Sequence, residues 1–304
     1  MDVSPPRFRD HLNRTALVYG LYARWCGRRG PGLLLIPIRR QKLLQRNDIR
    51  TGKNIAMNVK VLGNGGAIND GLPYNAFIIN GTLLCETPPD IMLSLHKNDI
   101  EIPSINTIYI SHFHGDHVFG LPFLILSAFL LHKTDNKNLF FTIVGPEGIE
   151  EMAENIVISA FTSNHPCLEW MKAFCNFLEV DESSKPELVG GYQTSIFKLN
   201  HLIDTYGFFL TNDDNIVEFS YVADTRWCES IRAVLNRQPR VVMIDLNGKD
   251  DDPEPVHISM SELKQKAIPI TGKNTQYYGT HLKEEFNSTI SCIKCAKPGM
   301  MISL

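Results

Sequence analysis

The sequence lacks the paired cysteines that build a disulfide scaffold. Its seven cysteines are scattered and odd in number, which argues against a small secreted disulfide fold. Cys292 and Cys295 form a single CxxC without a second pair at zinc-site spacing, so we interpret them as reduced structural thiols. Long apolar runs are missing too. None reaches the roughly 18 residues that a transmembrane helix needs, and we expect no membrane partner.

Positive charge is scarce outside the N-terminal region. The net charge is −3, and residues 1–53 hold twelve Lys and Arg against three acidic residues, which leaves eighteen against thirty in the remainder. An acidic body is not typical of a protein that binds nucleic acid by charge alone. We interpret residues 1–55 as a basic extension that is either flexible or a targeting segment. We expect a cytoplasmic protein, or a mitochondrial one if the extension is a transit peptide.

Residues 56–304 have an ordinary globular composition and are predicted to form one domain. Short strand-like runs such as "MNVKVL", "TIYIS", "IVEFSYV" and "RVVMIDL" alternate with helical stretches in both halves. The segment "CLEWMKAFCNFLEV" has apolar residues at helical spacing and is predicted to be a single core helix. This order favours an α/β (α+β) fold, in which two sheets pack face to face with helices outside.

The stretch "HFHGDH" concentrates imidazole and carboxylate groups where a strand gives way to a helix. His112, His114, Asp116 and His117 are side chains that zinc and similar ions bind. Further candidates, His201, Asp224 and His281, each follow a predicted strand. Strand ends converge at one rim of a sheet, so we expect these seven side chains to meet in one pocket.

This pattern resembles the HxHxDH signature and the later ligands of the metallo-β-lactamase superfamily. The resemblance implies a four-layer αββα sandwich with two divalent metal ions at one rim of the two sheets. It implies that one ion is held by His112, His114 and His201. The second ion would be held by Asp116, His117 and His281, with Asp224 bridging both. Zinc is the expected metal, and manganese or iron also suit such ligands.

Four segments are similar to the branch that contains tRNase Z and the cyclic-phosphate phosphodiesterases: "GDHVFGLP", "VGPEGIEEM", "YVADTRW" and "YYGTHLKEEF". His257 lies where tRNase Z enzymes carry a catalytic histidine that is not a ligand. The resemblance implies that a metal-bridging hydroxide attacks a phosphodiester, with Asp116 as ligand and base. His257 would then donate a proton to the leaving oxygen. A hydrogen-bonded histidine at a helix N-terminus is the alternative for His257.

Two features near the start of the domain are weaker. Glu86 occupies the position where the family has an aspartate that supports a metal-binding histidine, and its extra methylene leaves that role open. The loop "GNGGAINDGLPYN" contains Asn64, Gly65 and Gly66, whose backbone amides could face a substrate phosphate. A plain turn explains the same residues equally well.

The expected substrate is a small phosphodiester or a nucleotide ester. The segment before His201 is acidic and lacks the Lys-containing arm with which tRNase Z grips tRNA, and the acidic motif that precedes its catalytic histidine is missing. A tRNA 3′-processing endoribonuclease with RNA as partner is therefore the second expectation. Lactone or thioester hydrolysis and a non-catalytic binding protein are the others. A homodimer is also an expectation, because dimers are common in the superfamily.

Overall fold

The computed structural model describes residues 56–135, 139–253 and 255–304. These residues belong to a compact unit, Asn54–Leu304. The predicted basic extension, residues 1–55, lies outside the described residues.

The described residues contain thirteen strands and eight short or medium α-helices. The strands are β1 Asn58–Gly63, β2 Ala76–Ile79, β3 Leu83–Cys85, β4 Thr107–Tyr109, β5 Phe141–Gly145, β6 Cys175–Glu179, β7 Gln193–Lys198, β8 Tyr206–Thr211, β9 Val217–Val222, β10 Val241–Asp245, β11 Gln276–Thr280, β12 Ile293–Cys295 and β13 Met301–Ser303. The helices are α1 Ile91–Lys97, α2 Gly115–Val118, α3 Leu121–Asp135, α4 Ile149–Phe161, α5 Pro166–Phe174, α6 Glu229–Leu235, α7 Met260–Glu262 and α8 Ile268–Thr271. A 3₁₀ turn covers Ile102–Ser104, and a π-helical turn, Leu263–Ala267, joins α7 to α8.

The strands form two sheets. The first has seven strands in the order β13-β1-β2-β3-β4-β5-β6, and the second has six in the order β12-β11-β10-β9-β8-β7. In the second sheet β9, β10 and β11 are parallel. Two antiparallel pairings, through β8, give β7 the same direction as β9. The carboxyl ends of β7, β9, β10 and β11 therefore lie at one edge of this sheet.

Side chains alternate between two hydrophobic cores, as the two-residue period of a strand requires. Phe77 and Ile79 of β2 belong to the core that includes Phe208 and Tyr221 of the second sheet. Ile78, between them, faces the other core, which contains residues of helices α1 to α5. Residues of α6 and the π-helical turn join the second sheet. These layers are the predicted αββα sandwich.

The prediction of one helix over "CLEWMKAFCNFLEV" is wrong in its second half. Helix α5 ends at Phe174, and the next five residues form β6, which pairs in parallel with β5 over its whole length. Pairing with the open edge of β5 satisfies the backbone of these residues, and this tertiary contact overrides the helical spacing of their apolar side chains.

The prediction that no stretch could span a membrane also needs a qualification. Gly115–Asp135 is long and apolar enough to do so by length and composition. Half of it is buried within the fold, and a core helix meets the same criterion. Its apolar character is explained by Leu121, Leu124, Ile125 and Ala128, which face the helical core. The break at Phe119–Gly120 separates α2 from α3 within it.

Candidate metal centre

The strand ends bring the predicted ligands together. The loop after β4 carries His112 and His114, and α2 carries Asp116 and His117. His201 follows β7, Asp224 follows β9 and His281 follows β11, all at the same edge of the second sheet. Carboxyl ends of strands are where open α/β sheets build their sites. The geometry of parallel strands thus gathers residues that are widely separated in the sequence.

The side chains form two groups that share one carboxylate. In each group the ligand atoms lie within 4.8 Å of one another: His112, His114, His201 and Asp224 in the first, and Asp116, His117, Asp224 and His281 in the second. All seven predicted ligands are present, and Asp224 belongs to both groups. A third group, Asp245, His257 and His281, adjoins the second.

Donor spacing in the first group suits a metal ion. His112 Nε2 lies 3.0 Å from His114 Nδ1, and His201 Nε2 lies 3.4 Å from the same atom. Ligand nitrogens at zinc–nitrogen distances of about 2.0–2.1 Å in a tetrahedron are about 3.3–3.4 Å apart. Three imidazole nitrogens that lie this close together can bind a single cation between them.

The second group shows the same fit. Asp116 Oδ2 lies 3.1 Å from His281 Nε2 and 3.4 Å from His117 Nε2. Asp224 Oδ1 lies 3.4 Å from His117 Nε2, and its Oδ2 lies 3.1 Å from His281 Nε2. His117 Nε2 and Asp224 Oδ1 are buried, and neither has a hydrogen-bond partner among the described residues. Buried polar atoms rarely lack partners, and a cation would supply the missing one.

Protonation differs between the two groups. Burial lowers the pKa of His114 and His201, and burial together with the His117 ring lowers the pKa of His112. These imidazoles are therefore neutral and ready to bind a metal at pH 7. Burial also acts against charge on His281, but Asp224, Asp116 and Asp245 outweigh it and raise the pKa of His281 to about 10. A metal ion that enters the second group must displace protons there.

Glu86 lies beside His117, where the supporting role predicted from the resemblance would place it. It is fully buried, and its Oε2 lies 3.4 Å from His117 Nδ1. The Tyr221 hydroxyl donates to its Oε1 at 3.0 Å, and the Ser111 amide lies 3.3 Å from both oxygens. The Glu86 backbone has φ 67°, in the left-handed region. This backbone conformation accompanies the longer side chain, which still reaches the His117 imidazole.

His257 has a partner that the sequence did not reveal. Its Nδ1 lies 2.7 Å from Asp245 Oδ2, and the ring is centred 5.1 Å from His281 and 5.6 Å from His201. Burial acts against charge on His257, but Asp245 raises its pKa above the ordinary value. The contact with Asp245 thus favours the protonated form of a histidine at the border of the candidate metal centre.

Asp245 is a candidate site residue that the sequence analysis did not identify. It is fully buried at the end of β10, and it also accepts hydrogen bonds from the amides of Thr225 and Asn247. Its Oδ1 lies 3.5 Å from His281 Nδ1, so one carboxylate contacts both His257 and His281. Its position at the end of the strand beside Asp224's strand was the available signal.

The predicted phosphate role of the glycine-rich loop is not supported. The amides of Asn64 and Gly65 donate to the Pro73 carbonyl, and the Gly66 amide donates to the Leu282 carbonyl. These N–H groups are used within the fold. Gly66 instead matters for space: a Cβ there would lie 2.6 Å from Asn247 Nδ2 and 2.9 Å from His281 Cε1. The loop is therefore packed directly against the candidate ligand His281.

The predicted structural thiols fit their surroundings. Cys292 and Cys295 are buried and free, and Cys295 ends β12 at the edge of the second sheet. The Asn64 amide nitrogen lies 3.8 Å from the Cys295 sulfur.

Solved structures with the same fold support the architecture. The metallo-β-lactamase fold protein YhfI from Bacillus subtilis superposes with a TM-score of 0.64 at 15% identity, covering 82% of this chain and 99% of that one. The short form of human tRNase Z gives a TM-score of 0.60 at 18% identity, covering 81% and 98%. The chain thus has the metallo-β-lactamase fold.

Sequence relatives point in the same direction. The Ribonuclease Z of Lachnoclostridium phytofermentans is 30% identical over 131 residues, which cover 43% of this chain and 39% of the relative. The chain thus spans well under two thirds of that relative's length. The family model of the Anti-Pycsar protein Apyc1 matches residues 57–293, which include all seven candidate ligands, His257 and Asp245. This match covers most of the chain, and the protein belongs to the Anti-Pycsar protein Apyc1 family.

Proposed function

We propose that the protein is a dinuclear metal-dependent phosphodiesterase that acts on a small phosphodiester or a nucleotide ester. The observation that carries this proposal is the pair of candidate ligand groups joined by Asp224, with His257 held against Asp245 beside them. When bound, two such ions activate water and hold the attacking and leaving oxygens of a phosphodiester in line.

The protein's own residues supply the remaining chemistry. Asp116 Oδ2 lies 3.1 Å from His281 and 3.4 Å from His117, so its carboxylate is fixed at the second group and can orient the attacking water. Burial acts against charge on His257, but Asp245 lies 2.7 Å from its Nδ1 and raises its pKa, which favours the imidazolium. Its other ring nitrogen, Nε2, would donate the proton to the leaving oxygen. Asp245 fixes the orientation of the ring, as a carboxylate does for a catalytic histidine.

A tRNA 3′-processing nuclease is the second candidate. Curated relatives named Ribonuclease Z favour it. Against it, the segment after α4 folds into helix α5 and edge strand β6 and continues into acidic residues around Asp181. Phosphate-backbone binding depends on Lys and Arg, which this segment supplies sparsely.

A substrate panel tests the proposal. Purified protein supplied with Zn²⁺ or Mn²⁺ should hydrolyse bis-p-nitrophenyl phosphate and lose this activity with a chelator. A lactone and a thioester serve as controls, and a pre-tRNA with a 3′ trailer tests the second candidate. Activity confined to the lactone or thioester would overturn the phosphodiesterase assignment, and cleavage of the pre-tRNA alone would favour the nuclease.

A further inference from the structure

A buried chain of hydrogen bonds runs between the two sheets behind the candidate metal centre. Its four members come from different elements: Thr280 from the end of β11, Asn75 from the loop before β2, Tyr221 from β9 and Glu86 from the segment after β3. All four residues are buried. One end of the chain directly precedes the candidate ligand His281, and the other end faces the candidate ligand His117. The chain therefore connects the surroundings of two ligands through the interior of the fold.

The direction of these hydrogen bonds follows from the groups involved. As a carboxylate, Glu86 can only accept, so the Tyr221 hydroxyl donates to it across 3.0 Å. The Tyr221 oxygen is then the acceptor for the Asn75 side-chain amide, also at 3.0 Å. The Asn75 carbonyl oxygen faces Thr280, whose hydroxyl donates to it at 2.6 Å. No member can turn round without leaving a buried polar group unpaired, which costs free energy.

Packing holds the middle of the chain in place. The Tyr221 ring lies edge-on to Phe77 of the first sheet, with ring centroids 4.9 Å apart, and 5.9 Å from Phe208 of the second sheet. Edge-to-face contacts between aromatic rings are favourable and directional. Asn75 is fixed as well, because its backbone amide donates to the Gly65 carbonyl. The Tyr221 hydroxyl therefore reaches the Glu86 carboxylate from one fixed direction.

Glu86 contacts both groups of candidate ligands, one of them through Ser111. Its Oε2 lies 3.4 Å from His117 Nδ1, and the other nitrogen of that ring faces the carboxylates of the second group. The Ser111 amide lies 3.3 Å from both oxygens of Glu86, and the Ser111 hydroxyl lies 2.9 Å from His112 Nδ1. A carboxylate behind a metal-binding imidazole orients the ring and makes its other nitrogen a better ligand.

We propose that Tyr221 and Asn75 are positioning residues of the metal centre. They hold the Glu86 carboxylate against His117 Nδ1 and thereby raise the affinity of the second group for a divalent cation. Without the Tyr221 hydroxyl, Glu86 loses its shorter hydrogen bond and can rotate away from the imidazole. This role rests on the metal centre of the proposed function and does not depend on the substrate. It also gives a purpose to the glycine-rich loop, whose last residue is Asn75.

The test removes the hydroxyl from each of two buried tyrosines. Tyr221→Phe should weaken zinc binding at one of the two sites about tenfold, the lower end of the range for residues that support a metal ligand. Tyr277→Phe is the matched control, because Tyr277 is also buried in the second sheet and its hydroxyl bonds to Thr271, near the amino end of β11 and away from His281. It should keep both zinc affinities. Competition with a chelating dye measures them, and equal values in the two variants would overturn the proposal.

The same assay in Glu86→Gln protein shows whether Tyr221 acts through Glu86. A hydroxyl that only positions the carboxylate has little effect once the charge is gone, so Tyr221→Phe should weaken zinc binding there by less than about threefold. A full tenfold loss in the Glu86→Gln background would show that Tyr221 does not act by positioning Glu86.

Two replacements at Thr280 provide a second test, which decides the matter if Tyr221→Phe does not fold. Thr280→Val keeps the shape but cannot donate to Asn75, whereas Thr280→Ser keeps a hydroxyl. Zinc affinity should fall about threefold or more in Thr280→Val and stay near the wild-type value in Thr280→Ser. Equal affinities in these two variants would refute the positioning role. Because zinc binding is measured without substrate, protein that passes these tests but hydrolyses no phosphodiester would refute only the proposed function.

Discussion

His257 and Asp245 differ in their contacts with the candidate metal ligands. His257 contacts Asp245 at 2.7 Å and belongs to neither of the two groups that share Asp224. Its ring can therefore be removed without taking away a ligand of those groups. Asp245 differs, because it contacts His257 and also the candidate ligand His281. Although the two residues contact each other, we expect their replacement to affect metal content differently.

Replacing His257 should separate chemistry from metal binding. We expect His257→Ala to keep the wild-type metal content and to lower turnover of bis-p-nitrophenyl phosphate about 10²–10⁴-fold, the usual contribution of a general acid. Asp245→Asn should lower both quantities. Elemental analysis and initial rates on the same preparations check this. Loss of metal from His257→Ala would show that His257 is a ligand and not a proton donor.

We expect the negative charge of Glu86 to contribute more to zinc affinity than the size of its side chain. Glu86→Gln keeps the size and can still accept from Ser111 and Tyr221, but it removes the negative charge 3.4 Å from His117 Nδ1. We expect zinc affinity at one of the two sites to fall about 10–100-fold, as for other residues that support a metal ligand. Competition with a chelating dye measures the affinity, with the exposed Glu101→Gln as control. Affinity equal to that of the control would exclude a supporting role.

The sequence indicated the candidate metal ligands better than the residues that hydrogen-bond to them or pack behind them. The candidate ligands repeat a residue type and a spacing that suit a metal ion, so "HFHGDH" was sufficient to predict that four of these side chains lie together. Asp245 was missed because its position at a strand end was its only signal, without the repeated residue types that mark "HFHGDH". The network behind Glu86 was missed for the same reason: Asn75 donates to the Tyr221 hydroxyl, and Thr280 donates to Asn75. Those contacts exist only when strands from two sheets are in register.

The strands of the second sheet determine where several of the candidate ligands lie. Four strands of the second sheet end at the same edge. His201, Asp224 and His281 follow three of them, and Asp245 is the last residue of the fourth, β10. Convergence was predictable because strand direction follows from alternating strands and helices. Strand β6 was not predictable, because its residues form a strand by pairing with the edge of β5. The sequence of this short amphipathic segment does not indicate that tertiary contact.

The glycine-rich loop should be intolerant of even one methyl group. We expect Gly66→Ala to destabilise the fold by about 1–3 kcal/mol and to weaken metal binding, because the added Cβ overlaps Asn247 and His281. His281 has φ 56°, a constrained backbone that cannot move aside freely. Thermal melting with and without zinc measures both effects. Gly190→Ala, where a Cβ meets nothing within 4 Å, is the control and should change little. Equal stability and equal zinc binding of Gly66→Ala and Gly190→Ala would show that the loop does not constrain His281.

The whole molecule should respond to pH in a way that depends on metal. The pKa of His281 is raised from 6.5 to about 10 in the metal-free fold, so its contribution to stability is complete below pH 6.5 and is lost as the pH rises through about 10. The pKa of His117 is also raised, because Asp224 and Glu86 outweigh its burial, and its contribution has the same sign. His112, His114 and His201 have lowered pKa values, so their effect is confined to pH values near and below 6.5.

Chelator-treated protein should therefore melt at a lower temperature at about pH 9.5 than at about pH 7.5, because the imidazolium of His281 is being lost. Zinc-loaded protein needs no proton at that site and should show a smaller decrease. Melting curves at both pH values, with zinc or with EDTA, give the comparison. A decrease that is equal in the two states would contradict the assignment of His281 to a metal.

The central claim is that seven side chains, brought together by two sheets, hold a pair of divalent cations. Elemental analysis of protein stripped with EDTA, reloaded with zinc and freed of excess metal tests it most directly. The account predicts two zinc ions per chain in the wild type, and one or none in Asp224→Ala, because that carboxylate serves both groups. A wild type that retains no zinc, or an Asp224→Ala variant that retains two ions, would contradict it.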